Sequence, residues 1–239
     1  MKGLHFFKFN GVESRDEQLI ITNKDTYKGA SRDLTFTQIP GRSGDLITDN
    51  RRYKNAKITY EVAALEGIHT IPEIAHRVKG WLLSEVGYYP LYDSYDPNYF
   101  RLASYSDEFD LEQELPALGS SSISFNCKPF RYSIEGQRAI ILTTAQTVRN
   151  PEFFPASPYI KITGEGDITL SINGDSFVFR GVEGYIEVDS EEMRAYKGDR
   201  NENGKMYTHT FPKLYKGDNA ISWSGSVQSV EIIPRWCCL

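Results

Sequence analysis

Asp199, Asn201, Asn203 and Gly204 occupy the first half of a calcium-loop spacing, D-x-N-x-N-G, which sets oxygen ligands around a turn that glycine permits. The twelfth position, where a bidentate Glu belongs, is Thr210, and no helical pattern flanks the loop. The segment therefore reads as a polar hairpin loop, and no metal is expected there. The histidines His5, His69, His76 and His209 are not at ligand spacing from one another or from a cysteine. No serine sits in a G-x-S-x-G elbow. Gly164-Glu165-Gly166 lies between two strand patterns, without the helix that a dinucleotide site needs, and reads as a turn. Carboxylates occur in runs, Glu191-Glu192 and Asp107 through Glu114, but nothing in the sequence sets two of them across a sugar ring as a glycosidase requires. The runs read as solvated loops or interface charge, so neither catalysis nor a cofactor is expected. Trp223 and Trp236 could stack on a sugar; packing is the commoner fate of tryptophan in a β-domain.

The surrounding chain has 239 residues, 25% charged and 40% hydrophobic, which fits a globular protein of one large or two ordinary domains. Its net charge of -5 and its lack of a basic tract argue against direct nucleic-acid binding. No segment approaches membrane-spanning length, so no membrane insertion is expected. The start, MKGLHFFKFNG, is too short an apolar stretch for a signal peptide, which points to synthesis in a cytoplasm. Cys127, Cys237 and Cys238 are expected as free thiols, since adjacent cysteines bridge poorly.

Strand patterns dominate both halves. Gln18–Thr22, Asp33–Ile39 and Lys57–Val62 read as strands, the last by its apolar–polar alternation. Between them PGRSGDLITDNRRYKN is a long polar excursion. Ile71, Ile74, Ala75, Val78 and Leu82 make one helical stripe, with Thr70 and Glu73 as a capping box, Pro72 in the first turn and a stop near Gly87. Tyr88–Tyr92, Tyr99–Ser104 and Ser122–Lys128 are strands, the last closed by Pro129. Asn150–Pro158, with three prolines, belongs to a connection over residues 133–158. Beyond it, Tyr159–Thr163, Asp167–Ile172, Ser176–Arg180, Tyr185–Val188, Ala220–Trp223 and Val227–Ile233 suggest a β-sandwich. Asn173-Gly174 marks one hairpin, and a Ser-Gly turn joins the final pair.

Several stretches, in order along the chain, resemble the distal tail proteins of long-tailed phages that infect Gram-positive bacteria. GRSGDLITDNRRYKNAKITYEV is similar to that family's glycine-arginine loop and following strand. WLLSEVGYYPLYDSYDPNYFRLA is similar to its helix end, strand and D-S-Y-D-P-N turn. SISFNCKPFRYS resembles its domain-closing strand, and SPYIKITGEGDITLSING, EVDSEE and FPKLYKGDNAISWSG resemble its C-terminal domain.

The resemblance implies a mainly β protein with one α-helix. Residues 1–132 would form a tail-tube-like β-sandwich or barrel carrying that helix, and residues 159–239 a galectin-like β-sandwich. It also implies a structural protein of the virion tail tip, assembled in the bacterial host cytoplasm as a hexameric ring, single or paired. That hub would join the tail-tube protein to the tail-tip or tail-associated protein and dock host-adsorption (receptor-binding) proteins. The polar excursion would serve as an inter-subunit arm, with Arg42, Asp45, Arg51 and Arg52 at or near the subunit contact. The other reading is a carbohydrate-binding protein that recognises host cell-wall glycans through the C-terminal sandwich, with Trp223 and Trp236 as contacts.

Overall fold

The computed structural model describes residues 4–24, 28–65, 67–115 and 118–239. The chain divides into two compact units, residues 1–131 together with Leu239, and residues 132–238. It is mainly β with one α-helix.

In the first unit the strands are β1 (Phe7–Phe9), β2 (Val12–Glu13), β3 (Leu19–Lys24), β4 (Arg32–Thr37), β5 (Leu46–Tyr53) and β6 (Ala56–Leu65). After the helix α1 (Ile71–Leu83) come β7 (Tyr89–Asp93), β8 (Tyr99–Ser104), β9 (Glu112–Leu115) and β10 (Leu118–Ser133), and the division between units falls inside β10. The main sheet runs β2-β1-β7-β8-β10-β6-β3, with β9 paired to β10. The alternation in β6 is what buries it: Ala56, Ile58, Tyr60, Val62 and Ala64 all face the core. The helix lays Ile71, Ile74, Val78 and Leu82 on the same core, and Glu73 accepts from the Thr70 backbone N–H at 2.9 Å to close its first turn. Phe7, Tyr60 and Phe125 form the aromatic centre, with Phe7 and Tyr60 stacked at 5.1 Å.

A single carboxylate organises the D-S-Y-D-P-N turn. Asp93 Oδ1 accepts from the backbone N–H of Tyr95 and Asp96, while Oδ2 accepts from the Tyr60 hydroxyl at 2.9 Å and pairs with Lys24 at 2.7 Å. Burial, and then the neighbouring Asp93 charge, pushes the Tyr60 phenol well above its usual range.

The second unit contains β11 (Ile140–Leu142), β12 (Gln146–Asn150), β13 (Tyr159–Ile172), β14 (Asp175–Val182), β15 (Tyr185–Asp189), β16 (Arg194–Lys197), β17 (Arg200–Asn201), β18 (Gly217–Ile233) and β19 (Cys237–Cys238). β13 and β18 are its spine. They pair antiparallel in three stretches, Tyr159–Thr163 with Ser229–Ile233, Gly164-Glu165 with Ser226-Val227, and Thr169–Ile172 with Ile221–Ser224. β15 flanks the first half of β13 and β14 the second. Both halves bury their apolar side chains in one core, where Ile160, Ile162, Ile168, Leu170, Phe179, Val230 and Ile232 are almost fully enclosed. The two long strands thus bend around a shared core and form both layers of a sandwich.

Two glycines make the bend possible. A Cβ on Gly225, at φ +100°, would lie 2.4 Å from the Asp167 carbonyl oxygen; one on Gly164 would lie 2.3 Å from that of Ser226. The bends therefore nest against each other, backbone to backbone. This corrects two turns expected from the sequence. Gly164-Glu165-Gly166 and Ser224-Gly225 are bends inside continuous strands and not chain reversals, because both halves of each strand keep the same ladder partner.

Other boundaries shift for physical reasons. Pro129 lies within β10 and does not end it; it falls beyond the register with β6, which stops at Cys127 opposite Ala56. The helix ends at Leu83, before Gly87, with Ser84 as its C-cap. Residues 133–158 contain β11 and β12, both paired to β18, within the second unit. The Asn173-Gly174 turn has φ of +54° and +91°, as a two-residue hairpin loop demands. Cys127 and Cys237 are buried free thiols.

Candidate assembly surface

The long polar excursion is folded. Its second half, Leu46–Tyr53, is a strand that the Gly, Asp and Arg content conceals, and it pairs with Arg32–Thr37 as a separate two-stranded sheet. Gly41 and Gly44, at φ +78° and +87°, shape the turn between the strands. The missed signal is the alternation Leu34-Thr35-Phe36-Thr37 facing Leu46-Ile47-Thr48. At the base the hairpin is tied to its own unit. Lys54 N–H donates to the Ser31 carbonyl at 2.8 Å, Tyr53 meets Phe130 edge-on, and the Asn55 amide donates to the Tyr88 hydroxyl at 2.8 Å.

Beyond the base almost every residue is exposed. Phe36 and Ile47 are directly opposed across the ladder and are 58% and 59% exposed; Leu46 is 46% exposed. Cross-strand apolar pairs stabilise a sheet only modestly, and a lone two-stranded hairpin is marginal in water. Ion pairs supplement them. Arg52 Nε contacts Asp33 at 2.7 Å and Arg32 contacts Asp49 at 2.9 Å. The Arg52 hydrogen bond holds the Asp33 carboxyl below its ordinary range.

The four residues singled out in the sequence fall in three settings. Arg42 and Asp45 lie in the hairpin turn, and their side chains have no partner among the described residues. Arg51 sits at a bulge of β5 with φ +56°, its N–H donating to Asp49 Oδ1 at 2.8 Å and its side chain in solvent. Arg52 is engaged with Asp33 inside the hairpin.

In the second unit, Trp223 is half-buried against the core, opposite Leu170. Trp236 is 5% exposed; its carbonyl accepts from Ser133 N–H at 2.9 Å, and a Cβ on Gly136 would lie 2.5 Å from its backbone nitrogen. A sugar ring could stack on Trp236 only after the chain around it moved. In the calcium-like loop, Asn201 Oδ1 accepts from Asn203 N–H and Asn203 Oδ1 from Ala195 N–H, so both oxygens serve the backbone.

No family model matches the chain, and no curated protein matches it. Among solved structures it is similar to the SPP1 Dit (gp 19.1) protein, described as a paradigm of the hub adsorption apparatus in phages that infect Gram-positive bacteria. The TM-score is 0.75 at 12% identity, over 96% of this chain and 98% of that one. This chain therefore has the fold of that hub protein along nearly its whole length, the fold that the sequence resemblance implies.

Proposed function

We propose that this chain is a structural subunit of a phage tail hub, a hexameric ring that joins the tail tube to the tail tip and docks host-adsorption proteins. The observation that carries the reading is the β4–β5 hairpin, which projects an opposed Phe36–Ile47 pair into solvent on a sheet too small to stand alone. A neighbouring copy of the chain would cover that pair. The unpartnered charges of Arg42, Asp45 and Arg51 would then meet their complements on the identical neighbour, as a closed ring requires. The fold shared with a hub protein supports the same reading. Tail-tube and tail-tip proteins are the partners it implies, and the virion tail tip is the location.

Native mass spectrometry of the full chain tests it. The expected species is six copies of the 27.2 kDa subunit, or twelve for paired rings. A double variant, Phe36→Asp with Ile47→Asp, should be monomeric and otherwise folded. A wild-type chain that stays monomeric at high concentration, or a variant that assembles normally, overturns the reading.

A further inference from the structure

Within the second unit an open groove of about 680 Å³ runs between the start of β14, the turn after β15 and the segment 209–215. That volume is in the range of small-molecule sites, roughly 300–1,000 Å³. The groove is built and not accidental. Asn150, 1% exposed, donates to the carbonyls of Phe154 and Leu214, and an Ala156–Leu214 backbone bridge joins the same two loops. Asn219, fully buried, donates to the Tyr215 carbonyl and accepts from its N–H. Two buried amides thus fix the loops that form one wall.

The chemistry of the lining is specific in kind. Ser157, Ser176 and Thr210 supply hydroxyls, and Asp175 and His209 stand beside them. Tyr215, half exposed, and Phe211 offer ring faces. The carboxylates Asp175 and Glu191 line the groove with one lysine, Lys213, so no basic surplus exists, which disfavours phosphate-rich ligands. A peptide adding as a strand is also disfavoured. The outer edge of β14 is already used, with Tyr207 N–H donating to the Val178 carbonyl and Val178 N–H donating to Thr208 Oγ1.

We infer that this groove binds a neutral saccharide, with Tyr215 stacking on an apolar sugar face and Asp175 and His209 bonding its hydroxyls. Such a ligand alternates C–H faces with groups that both donate and accept, which is what hydroxyl, carboxylate and aromatic side chains together recognise. The inference places sugar recognition away from Trp223 and Trp236, and it is independent of ring formation.

Saturation-transfer NMR on the full chain is the test. The probes are neutral hexose and N-acetylhexosamine oligosaccharides, with a poly(glycerol phosphate) as the anionic arm and a random-sequence peptide pool as the protein arm. Saturable binding of at least one neutral oligosaccharide is expected, weakened about tenfold or more in Tyr215→Ala and in Asp175→Asn, and unchanged in Trp223→Phe. Both groove positions are exposed, so the variants should keep the wild-type melting temperature. Absence of binding across the neutral panel overturns the inference. So does binding that survives both groove variants, or binding confined to the anionic or peptide arm.

Discussion

Two hairpins in this chain are built from the same alternation and meet opposite fates. In the β13–β14 hairpin, Leu170, Ile172, Phe177 and Phe179 are all at most 3% exposed; in the β4–β5 hairpin, Phe36, Leu46 and Ile47 are each about half in solvent. The first sits on a core supplied by its own unit. The second has an apolar side with no core of its own beneath it. Local pattern makes a strand in both places, but burial on folding stabilises only the first. Stability therefore resides in the first hairpin, and the proposed assembly surface in the second.

The largest difference should come from the buried aromatic. Phe179→Ala should lower unfolding free energy by about 3–5 kcal/mol in urea titrations, through lost transfer energy and the cavity left behind. A loss under about 1 kcal/mol would mean that the hairpin does not anchor the sandwich.

Glycines sharpen the contrast next. Gly225→Ala forces a β-carbon against a backbone oxygen at positive φ and should cost about 3 kcal/mol or more. Gly41→Ala, in the exposed turn with nothing within 4 Å of its Cβ position, should cost only about 1 kcal/mol, from φ alone. Equal melting shifts in the two variants would remove the distinction.

Ion pairs separate the regions by pH. Burial alone would raise the Asp189 carboxyl, but the bidentate Arg235, both contacts at 2.8 Å, and the amides of Glu191 and Glu192 hold it below its ordinary value. A carboxyl lowered in the folded state adds stability above the unfolded pKa, near 4, and that stability is lost as pH falls through the folded pKa. Arg235→Met should therefore cost about 2–3 kcal/mol at pH 7, and the gap to wild type should narrow towards pH 3. The Arg52–Asp33 pair, whose arginine lies largely in solvent, should lose less stability on Arg52→Gln than the Arg235 pair loses. A gap at Arg235 that is constant with pH would show that Asp189 is not the group involved.

The smallest effect on the isolated chain should be at the exposed pair. Phe36→Ala and Ile47→Ala should change unfolding energy by less than about 0.5 kcal/mol each, while sizing shows weakened assembly. Large destabilisation without any change in oligomer would reverse the roles of the hairpins.

Much of this contrast is legible in the sequence where a pattern is local. The β6 alternation, the α1 stripe with Thr70 and Glu73, and the Asn173-Gly174 turn each depend on neighbours in the chain, and each has the structure its residues specify. What escaped was set by distant partners. Gly225 reads as a turn because glycine permits one, yet the ladder to β13 keeps the strand running. β5 reads as loop because Asp49, Asn50, Arg51 and Arg52 are polar, yet strand β4 pairs with it across the turn. The sugar groove carries no linear motif at all. Its members come from four separate segments, while Trp223 and Trp236, the residues whose type suggests sugar stacking, are packed.

The bent spine also governs the order in which the protein can be made. Tyr159 and Ile172 pair with Ile233 and Ile221, so the central ladder of the second unit waits for segments translated much later. Non-local pairing of this kind slows folding, because a long loop must close before the contacts form. On the ribosome, the main sheet of the first unit has all its consecutive strands through β10 available while β13 still lacks β18. The β4–β5 hairpin is thus synthesised and presented before the sandwich can close, and, if it is the assembly surface proposed above, nascent neighbours on one message would meet through it while their second units are unfinished.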